Sequence, residues 1–400
     1  MKGKGRNYLY FGINPWRTIK QRSQHIAEGL ARNNTVIFVN PISDWAGAAL
    51  SSRPRLPALP LPFVMKPIFS SPGKSVVVVD LPVVPSPGGL FTEILNGACS
   101  VLIWSHLLEV LRRRDFYPDA VWLSHPSQAP FLRIVPRHAI CCYDCMDDYA
   151  AMAGKARFRE VTAKENDILS SADVVFASSV MLEEKCRKTS SNVVRVPNGV
   201  DIGCFGLKTL PSGIDQPAHR KKVVGFYGFL GFWLDYGLII EIARRRPNWI
   251  LRIIGPSLAP DVRDRLKSFP NIELPGEIPY EHLPEAVRQF DVCILPFKIN
   301  NFAQSINPVK IYEYLATGKP VVSTDMVEVR ELGSAIRIAG NTEEFINHLE
   351  EALAEKDAAL AQERIRIARL NSWDERIRVI EREISSLLES GQTSTDQQTP

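Results

Sequence analysis

Long apolar runs are missing from this sequence. No stretch reaches the ~18 residues that a membrane-spanning helix needs, so no such helix is predicted. The opening residues, MKGKGRNYLYFGINPW, carry charge but no apolar stretch long enough for a signal peptide. Basic residues are not interleaved with aromatics in the stripe that nucleic acids favour, and a net charge of +4 is mild. No nucleic-acid partner is expected, whereas anionic ligands or an anionic membrane face fit. A G-x-G-x-x-G dinucleotide fingerprint is absent. Cysteines are few and scattered, and seven is an odd number, which argues for reduced thiols in a cytoplasm. Cys142 and Cys145 have the C-x-x-C spacing of a redox or half-metal motif. With no second pair or nearby histidine to complete a zinc site, structural thiols are the plainer reading.

What is present is the material of two globular domains: 400 residues, 45% hydrophobic and 23% charged. The first part alternates strand-like and helix-like segments. YLYFGI reads as a strand, RTIKQRSQHIAEGLARNN as an amphipathic helix with Ile19, Ile26, Leu30 and Ala31 on one face, and TVIFVNP as the next strand. SVVVVDLP (Ser75–Pro82), AVWLSH, AICCYD, DVVFASS and VVRVPNGVD are further strands, with VTAKENDILSSA a helix. Proline and serine crowd Ser51–Gly89, a loop region, and HLLEVLRRRDF is a basic helix end. The polar, aperiodic CFGLKTLPSGIDQPAHRKK reads as a linker. Beyond it VVGFYG, WILRIIG, DVCILPF and PVVST alternate with helical segments, then a helical region follows in which Ser372 and Glu375 form a capping box. GQTSTDQQTP is predicted to be a disordered tail. Helices between strands imply parallel, doubly covered sheets. The predicted organisation is α/β: a Rossmann-like domain at 1–205, a linker at 206–221, a second Rossmann-like domain at 222–370, a helix at 371–390 packing on the first domain, and a tail at 391–400.

Ligands bind open α/β sheets outside the carboxyl ends of the strands, so two such domains predict a cleft between them. Four strand-to-helix turns are expected there: GINPWRTIKQRSQH, LSHPSQAP with YDCMDDY, GFYGFLGFWLD, and SINPVKIYEYLATG. In the third, Gly225, Gly228 and Gly231 recur every three residues, which suits close approach of a phosphate or sugar and equally suits a tight turn without a ligand. In the fourth, Ser305, Ile306 and Asn307 lead to Pro308 and a helix N-terminus, where unpaired N–H groups bind anions. Lys310 in the first turn opposes the helix dipole unless an anion such as a diphosphate sits there. Glu313 shares its face and suits the hydroxyls of a ribose; the plain alternative is an exposed Lys–Glu pair. His125 ends a strand, where a satisfied structural role is the ordinary one. Asp144, Asp147 and Asp148 follow another strand, and as a trio they suit a functional role as well as they suit a solvated loop or helix cap.

These segments resemble the retaining glycosyltransferases of family 4, which have the GT-B fold. The resemblance rests on NPVKIYEYLATGKPVVST, VVRVPNGVD, SSADVVFASSVMLEEK and FDVCILPF. INPWRTIKQRSQHIAEGLA, YDCMDDYAAMAG, FYGFLGFWLDYGLIIEIARRRPNW and LPGEIPYEHLP resemble a bacterial branch that works on exopolysaccharide, capsular and teichuronic-type polymers. The resemblance implies a nucleotide-sugar donor in the second domain and an acceptor in the first, with Trp16, Arg22, Asp147 and Asp148 as acceptor or cleft residues. It implies C-terminal helices crossing back to the first domain and no bound divalent ion or other cofactor. Of the family's E-x7-E signature, the ribose-binding Glu matches Glu313, while the first Glu falls on Ser305. The Arg and Lys that usually face the diphosphate match Phe229 and Tyr236, so Lys310 is the natural substitute, aided by Arg17, Lys20 or Arg22. The family's catalytic-site His matches Asp144, with His125 nearby. Gly228, Phe229 and Gly231 complete the implied donor site.

By resemblance the leaving phosphate itself takes the acceptor's proton, and no protein base is required. A lipid-linked acceptor fits two features: the apolar LPALPLPFVMKPIF from Leu56 to Phe69, and the basic, amphipathic HLLEVLRRR; each also reads as ordinary packing. They suggest peripheral contact with the inner membrane face. Two other readings are a degenerate nucleotide-binding partner subunit and a GT-B sugar-nucleotide 2-epimerase.

Overall fold

The strands are short apolar runs such as YLYF, VIFV, VVFA and VCIL, whose residues are buried on both faces. A sheet covered on both sides by helices requires such runs. The computed structural model describes residues 5–17, 20–41, 68–70, 76–80, 105–206, 220–256 and 259–396. The chain divides into two units. The first holds Met1–Ser178, Leu182–Val196 and Ile377–Pro400; the second holds Ser179–Met181 and Pro197–Arg376.

The first unit contains β1 (Asn7–Phe11), β2 (Thr35–Val39), β3 (Ile68–Ser70), β4 (Val76–Asp80), β5 (Ala120–Leu123), β6 (Ile140–Cys145), β7 (Val174–Ala177) and β8 (Val193–Arg195). Among the described residues they form one eight-stranded sheet in the order β3-β4-β2-β1-β5-β6-β7-β8. All pairs are parallel except the edge pair β3 and β4. The order reverses between β1 and β5. Helix α1 (Arg22–Leu30) follows β1 and buries Ile26, Ala27 and Leu30; α2 (Gly154–Ser171) follows β6. Leu107 and Leu111, on the helix through 105–112, are buried in the core with Phe11, Val121 and Leu123. The apolar face of HLLEVLRRR is therefore core packing. The Leu56–Phe69 segment lies, apart from Ile68 and Phe69 in β3, outside the described residues.

The second unit contains β9 (Val223–Tyr227), β10 (Ile250–Ile254), β11 (Ile272–Gly276), β12 (Val292–Leu295), β13 (Val321–Thr324) and β14 (Arg337–Ala339). Its sheet runs β11-β10-β9-β12-β13-β14, all parallel, and reverses between β9 and β12. Four helices matter here: α3 (Tyr236–Arg245), α4 (Val309–Ala316), α5 (Thr342–Ala354) and α6 (Ala358–Leu370); a further helix, α7 (Trp373–Asp396), begins in this unit and passes into the first. Local chemistry marks their ends. Asp235, Asn341 and Asp357 accept N–H groups at the starts of α3, α5 and α6. Ser372 Oγ accepts the Glu375 N–H at the start of α7. Gly318, at φ +70°, ends α4 in the left-handed conformation that favours glycine.

Three boundaries differ from the sequence expectation. Residues 197–205 belong to the second unit rather than the first. Phe205 is the physical reason: it stacks on Tyr227 at 6.3 Å and meets Tyr280 edge-on at 5.7 Å inside that unit's core. Most of the expected linker, 207–219, lies outside the described residues. The expected disordered tail is helical through Asp396, because a polar helix end can continue its backbone ladder without an apolar face. Residues from Ile377 onward group with the first unit, where Asn34 Nδ2 donates to Glu381 at 2.9 Å and Arg6 Nη1 to Ser385 Oγ at 2.7 Å.

Gly29 of α1 sits against α7. A Cβ there would lie 2.5 Å from Ile377 Cγ1. Gly29→Ala gains about 1 kcal/mol of helix propensity, but overpacking of a fixed contact costs about 1–3 kcal/mol. A lowered denaturation midpoint is expected, recovered by Ile377→Val. An unchanged midpoint would mean that Ile377 swings aside without cost.

Candidate functional site

In the second unit, the turns that follow β9 and β10 are built on two glycines. Gly228 has φ +140° and Gly255 has φ +138°. A Cβ on Gly255 would fall 1.8 Å from the Gly228 carbonyl oxygen, so only glycine lets these backbones meet. The side chain of Lys310, from the first turn of α4, lies along Gly228. A Cβ there would be 1.8 Å from Lys310 Cε and 2.7 Å from Nζ. The exit of β9 thus carries one ammonium, beside the turn that follows β10. Among the described residues Lys310 makes no hydrogen bond or ion pair. Burial pulls its pKa below the usual lysine range, and the Glu313 charge opposes that shift. An anion at this place would relieve both.

Glu313 is buried, 3% exposed. Tyr227 at the end of β9 donates to Glu313 Oε2 in a short hydrogen bond, and Tyr280 donates to Oε1 at 3.4 Å. Burial raises the Glu313 pKa against the Tyr227 hydrogen bond and the Lys310 charge. Pro308 stands at the N-cap of α4, with φ −76°, rather than in its first turn.

The neighbouring candidates have mixed duties. Ser305 is buried, and its hydroxyl donates to the Phe302 carbonyl at 2.7 Å. Ile306 packs against the core. Asn307 sits in a closed buried network: its Oδ1 accepts from Asn198 N–H at 2.9 Å, and its Nδ2 donates to Tyr312 at 3.1 Å and Glu328 at 2.6 Å. Phe229 is 38% exposed and stacks on Trp233 at 5.8 Å; a Cβ on Gly231 would press on the same indole. Tyr236 donates to the Gly231 carbonyl at 2.9 Å.

In the first unit, β6 delivers Asp144 next to the start of α1. Arg22 Nε donates to Asp144 Oδ1 at 2.9 Å and Oδ2 at 3.1 Å, and Nη2 to Oδ1 at 2.8 Å. Both side chains are buried. Burial works against the Arg22 charge, but Asp144 outweighs it and raises the pKa. Arg22 is therefore committed to Asp144, and Lys20 to Glu28 at 2.8 Å. Asp148 caps the short helix Tyr149–Met152 and pairs with Lys185 at 2.9 Å. Asp147 is part buried; burial first, then Asp144 and Asp148, push its pKa up to about 7 against the pull of Arg22. His125 caps the 3-10 segment Pro126–Ile134, its Nδ1 accepting from Ser127 N–H at 3.1 Å. Burial, then Arg157 and Lys164, lower its pKa to about 4, so the ring is neutral at neutral pH. Trp16 meets Phe38 edge-on at 4.8 Å, and its backbone N–H donates to Asn40 Oδ1 at 2.7 Å. Cys142 and Cys145 are free, buried thiols three residues apart on β6, hence on opposite faces of the sheet.

The structure thus joins Gly228, Lys310 and Glu313 in one place, and Arg22, Asp144 and Asp147 in another. The tyrosines holding Glu313 and the Asn198–Asn307–Glu328 network were not anticipated. Only the position of Tyr227, beside Gly228, hinted at either.

Two doubly wound parallel sheets, each reversing once, are the GT-B architecture. Solved structures agree. A sucrose-phosphate synthase from Thermosynechococcus elongatus superposes with a TM-score of 0.70 at 14% identity, over 96% of this chain and 100% of its own. Anabaena HepE, solved with UDP and glucose, gives 0.64 at 16% identity over 95% and 99%. The match to group 1 glycosyl transferases spans residues 237–355. TuaH of Bacillus subtilis (strain 168), assigned to teichuronic acid biosynthesis as a glycosyltransferase, is 28% identical over 273 residues, 64% of this chain and 68% of its own. The protein is a glycosyltransferase of the GT-B fold.

Proposed function

We propose that this glycosyltransferase moves a sugar from a nucleoside-diphosphate sugar held by the second unit to a saccharide acceptor held by the first. The observation that carries this is Lys310, an ammonium without a hydrogen bond or ion pair among the described residues, laid on Gly228 at the exit of β9. The acceptor is a lipid-linked saccharide in synthesis of a surface polysaccharide, approached by peripheral contact with the inner membrane face. The resemblance to a teichuronic acid enzyme favours this context. Membership of family 4 and transfer with retention follow the sequence resemblance.

Bond breaking leaves charge on the diphosphate oxygens. A fixed ammonium and the free N–H groups at the start of α4 stabilise that charge as it develops. They supply positive charge without a bound divalent ion. Glu313 is aimed by Tyr227 and Tyr280, and its carboxylate accepts the ribose hydroxyls when the donor displaces the long contact from Tyr280. Among the described residues, no helix is long and apolar enough to cross a membrane, so a lipid-linked acceptor is reached from the surface.

The test is release of nucleoside diphosphate from UDP-, GDP-, ADP- and TDP-sugars, with and without EDTA. Turnover of one donor, undiminished by EDTA, is the expected result. Nucleotide binding, read as a concentration-dependent rise in Tm, with no turnover of any donor would favour the partner-subunit reading instead.

A further inference from the structure

Open α/β sheets bind ligands where the strand order reverses, and in the second sheet that place is between β9 and β12. The segments that leave these two strands are joined. Leu234 and Phe297 form an antiparallel bridge, the Lys298 N–H donates to the Trp233 carbonyl at 2.8 Å, and the Asp235 N–H donates to the Pro296 carbonyl at 2.8 Å. Aromatic rings stand on this joint. Phe229 stacks on Trp233 at 5.8 Å, Phe232 meets Trp233 edge-on at 5.2 Å, and Phe232 packs on Phe302 at 5.1 Å. Phe232 is 54% exposed, and Ile299, next to Lys298 in the chain, is 55% exposed. Among the described residues of the second unit, Phe229, Phe232, Ile299 and Leu370 are the large apolar side chains left exposed, and three of these four are here. One exposed apolar side chain is ordinary, but a cluster of them marks a place where something docks.

The turn that carries the rings is fixed. Tyr236 donates to the Gly231 carbonyl at 2.9 Å, and a Cβ on Gly231 would lie 2.5 Å from the Trp233 indole. Asp235 holds the start of α3 by accepting the Leu238 N–H at 2.9 Å. The rings are therefore presented by a preorganised surface, which lowers the cost of binding.

Three consecutive residues supply an order. Tyr227 donates to Glu313, the proposed seat of the ribose. Gly228 lies along Lys310, the proposed seat of the diphosphate. Phe229 comes next. A nucleoside-diphosphate sugar carries its groups in the same order: ribose, diphosphate, sugar. A pyranose has hydroxyls at its rim and C–H bonds on its faces. Those C–H bonds carry slight positive charge, which the negative face of an aromatic ring attracts.

We propose that the exposed rings of Phe229 and Phe232, backed by Trp233 and Phe302, seat the sugar of the donor by its C–H face. The inference rests on the reading that the second unit holds a nucleoside-diphosphate sugar. It assigns the rings to the sugar and not to the nucleotide.

The test is isothermal titration of the full chain with two probes: the donor turned over in the panel above, and its nucleoside diphosphate alone. Wild type is compared with two double variants, Phe229→Ala with Phe232→Ala and Phe229→Tyr with Phe232→Tyr. The alanine variant should raise the Kd of the donor about tenfold and leave that of the nucleoside diphosphate within about twofold. The tyrosine variant keeps flat rings and should bind the donor as wild type does. If the alanine variant does not fold, Phe232→Leu, which keeps apolar bulk without a flat ring, is read in the same way. Equal weakening of both probes overturns the proposal, because the rings then support the turn or the diphosphate. An unchanged donor Kd overturns it too. If, in that case, wild type but not the alanine variant sediments with phosphatidylglycerol vesicles, the patch serves a membrane instead. A wild type that binds no nucleoside diphosphate removes the proposed function itself, whereas nucleoside diphosphate binding with no loss of donor affinity removes the sugar seat alone.

Discussion

Lys310→Ala should lower kcat/KM by about 10²–10³-fold, the loss seen when one preorganised group facing developing charge is removed. Lys310 meets both requirements for such an effect. It is held in place by packing along Gly228, and among the described residues it has no competing partner. Its lowered pKa states the same tension in the resting protein, since burial disfavours the charge that only Glu313 supports. Three outcomes are informative in steady-state kinetics. A fall in kcat with KM unchanged places the ammonium on charge that appears in the transition state. A rise in KM alone places it on ground-state phosphate. No change in either removes Lys310 from the donor site. Lys310→Ala should meanwhile fold normally and gain a little stability, because a desolvated charge is removed.

Arg22→Met should be the most destabilising substitution in the first unit. It leaves the Asp144 carboxylate, 0% exposed, without its buried counter-charge. Breaking a buried pair from one side costs about 3–5 kcal/mol. For a unit of this size that corresponds to a fall in Tm of about 10 °C. Replacing both partners is the control. Arg22→Met with Asp144→Leu removes the orphaned charge and should recover most of the loss, so a double-mutant cycle with strong coupling is expected. Additive losses would mean that solvent reaches Asp144 when Arg22 is gone. The pair's task is to fix the start of α1 against the end of β6.

The two sheets could be read in the sequence because strands buried on both faces are plain apolar runs, and the helices between them carry caps such as Asp235 and Ser372. Gly228, Lys310 and Glu313 were legible for a related reason: each stands at a fixed offset from a strand end or a helix start. Arg22 and Asp144 were each singled out, but not as partners, because 122 residues separate them and only the strand order brings them together. Tyr227 and Tyr280 escaped notice because a tyrosine in an apolar stretch reads as core until its hydroxyl finds a carboxylate. The unit boundary was misread at Phe205, a single aromatic that decides which core claims a polar segment.

The Gly228–Gly255 contact bears on how such a protein can change over generations. A residue with a side chain at Gly255 would have to displace a strand exit, not merely another side chain. Next to this anchor, Phe229 projects toward solvent and is held mainly by one stacked ring. Drift is therefore channelled: the seat of the charge is closed to variation, while its rim stays open to it. New substrate preferences in descendants of this chain should arise at positions such as Phe229, without the ammonium ever leaving its place.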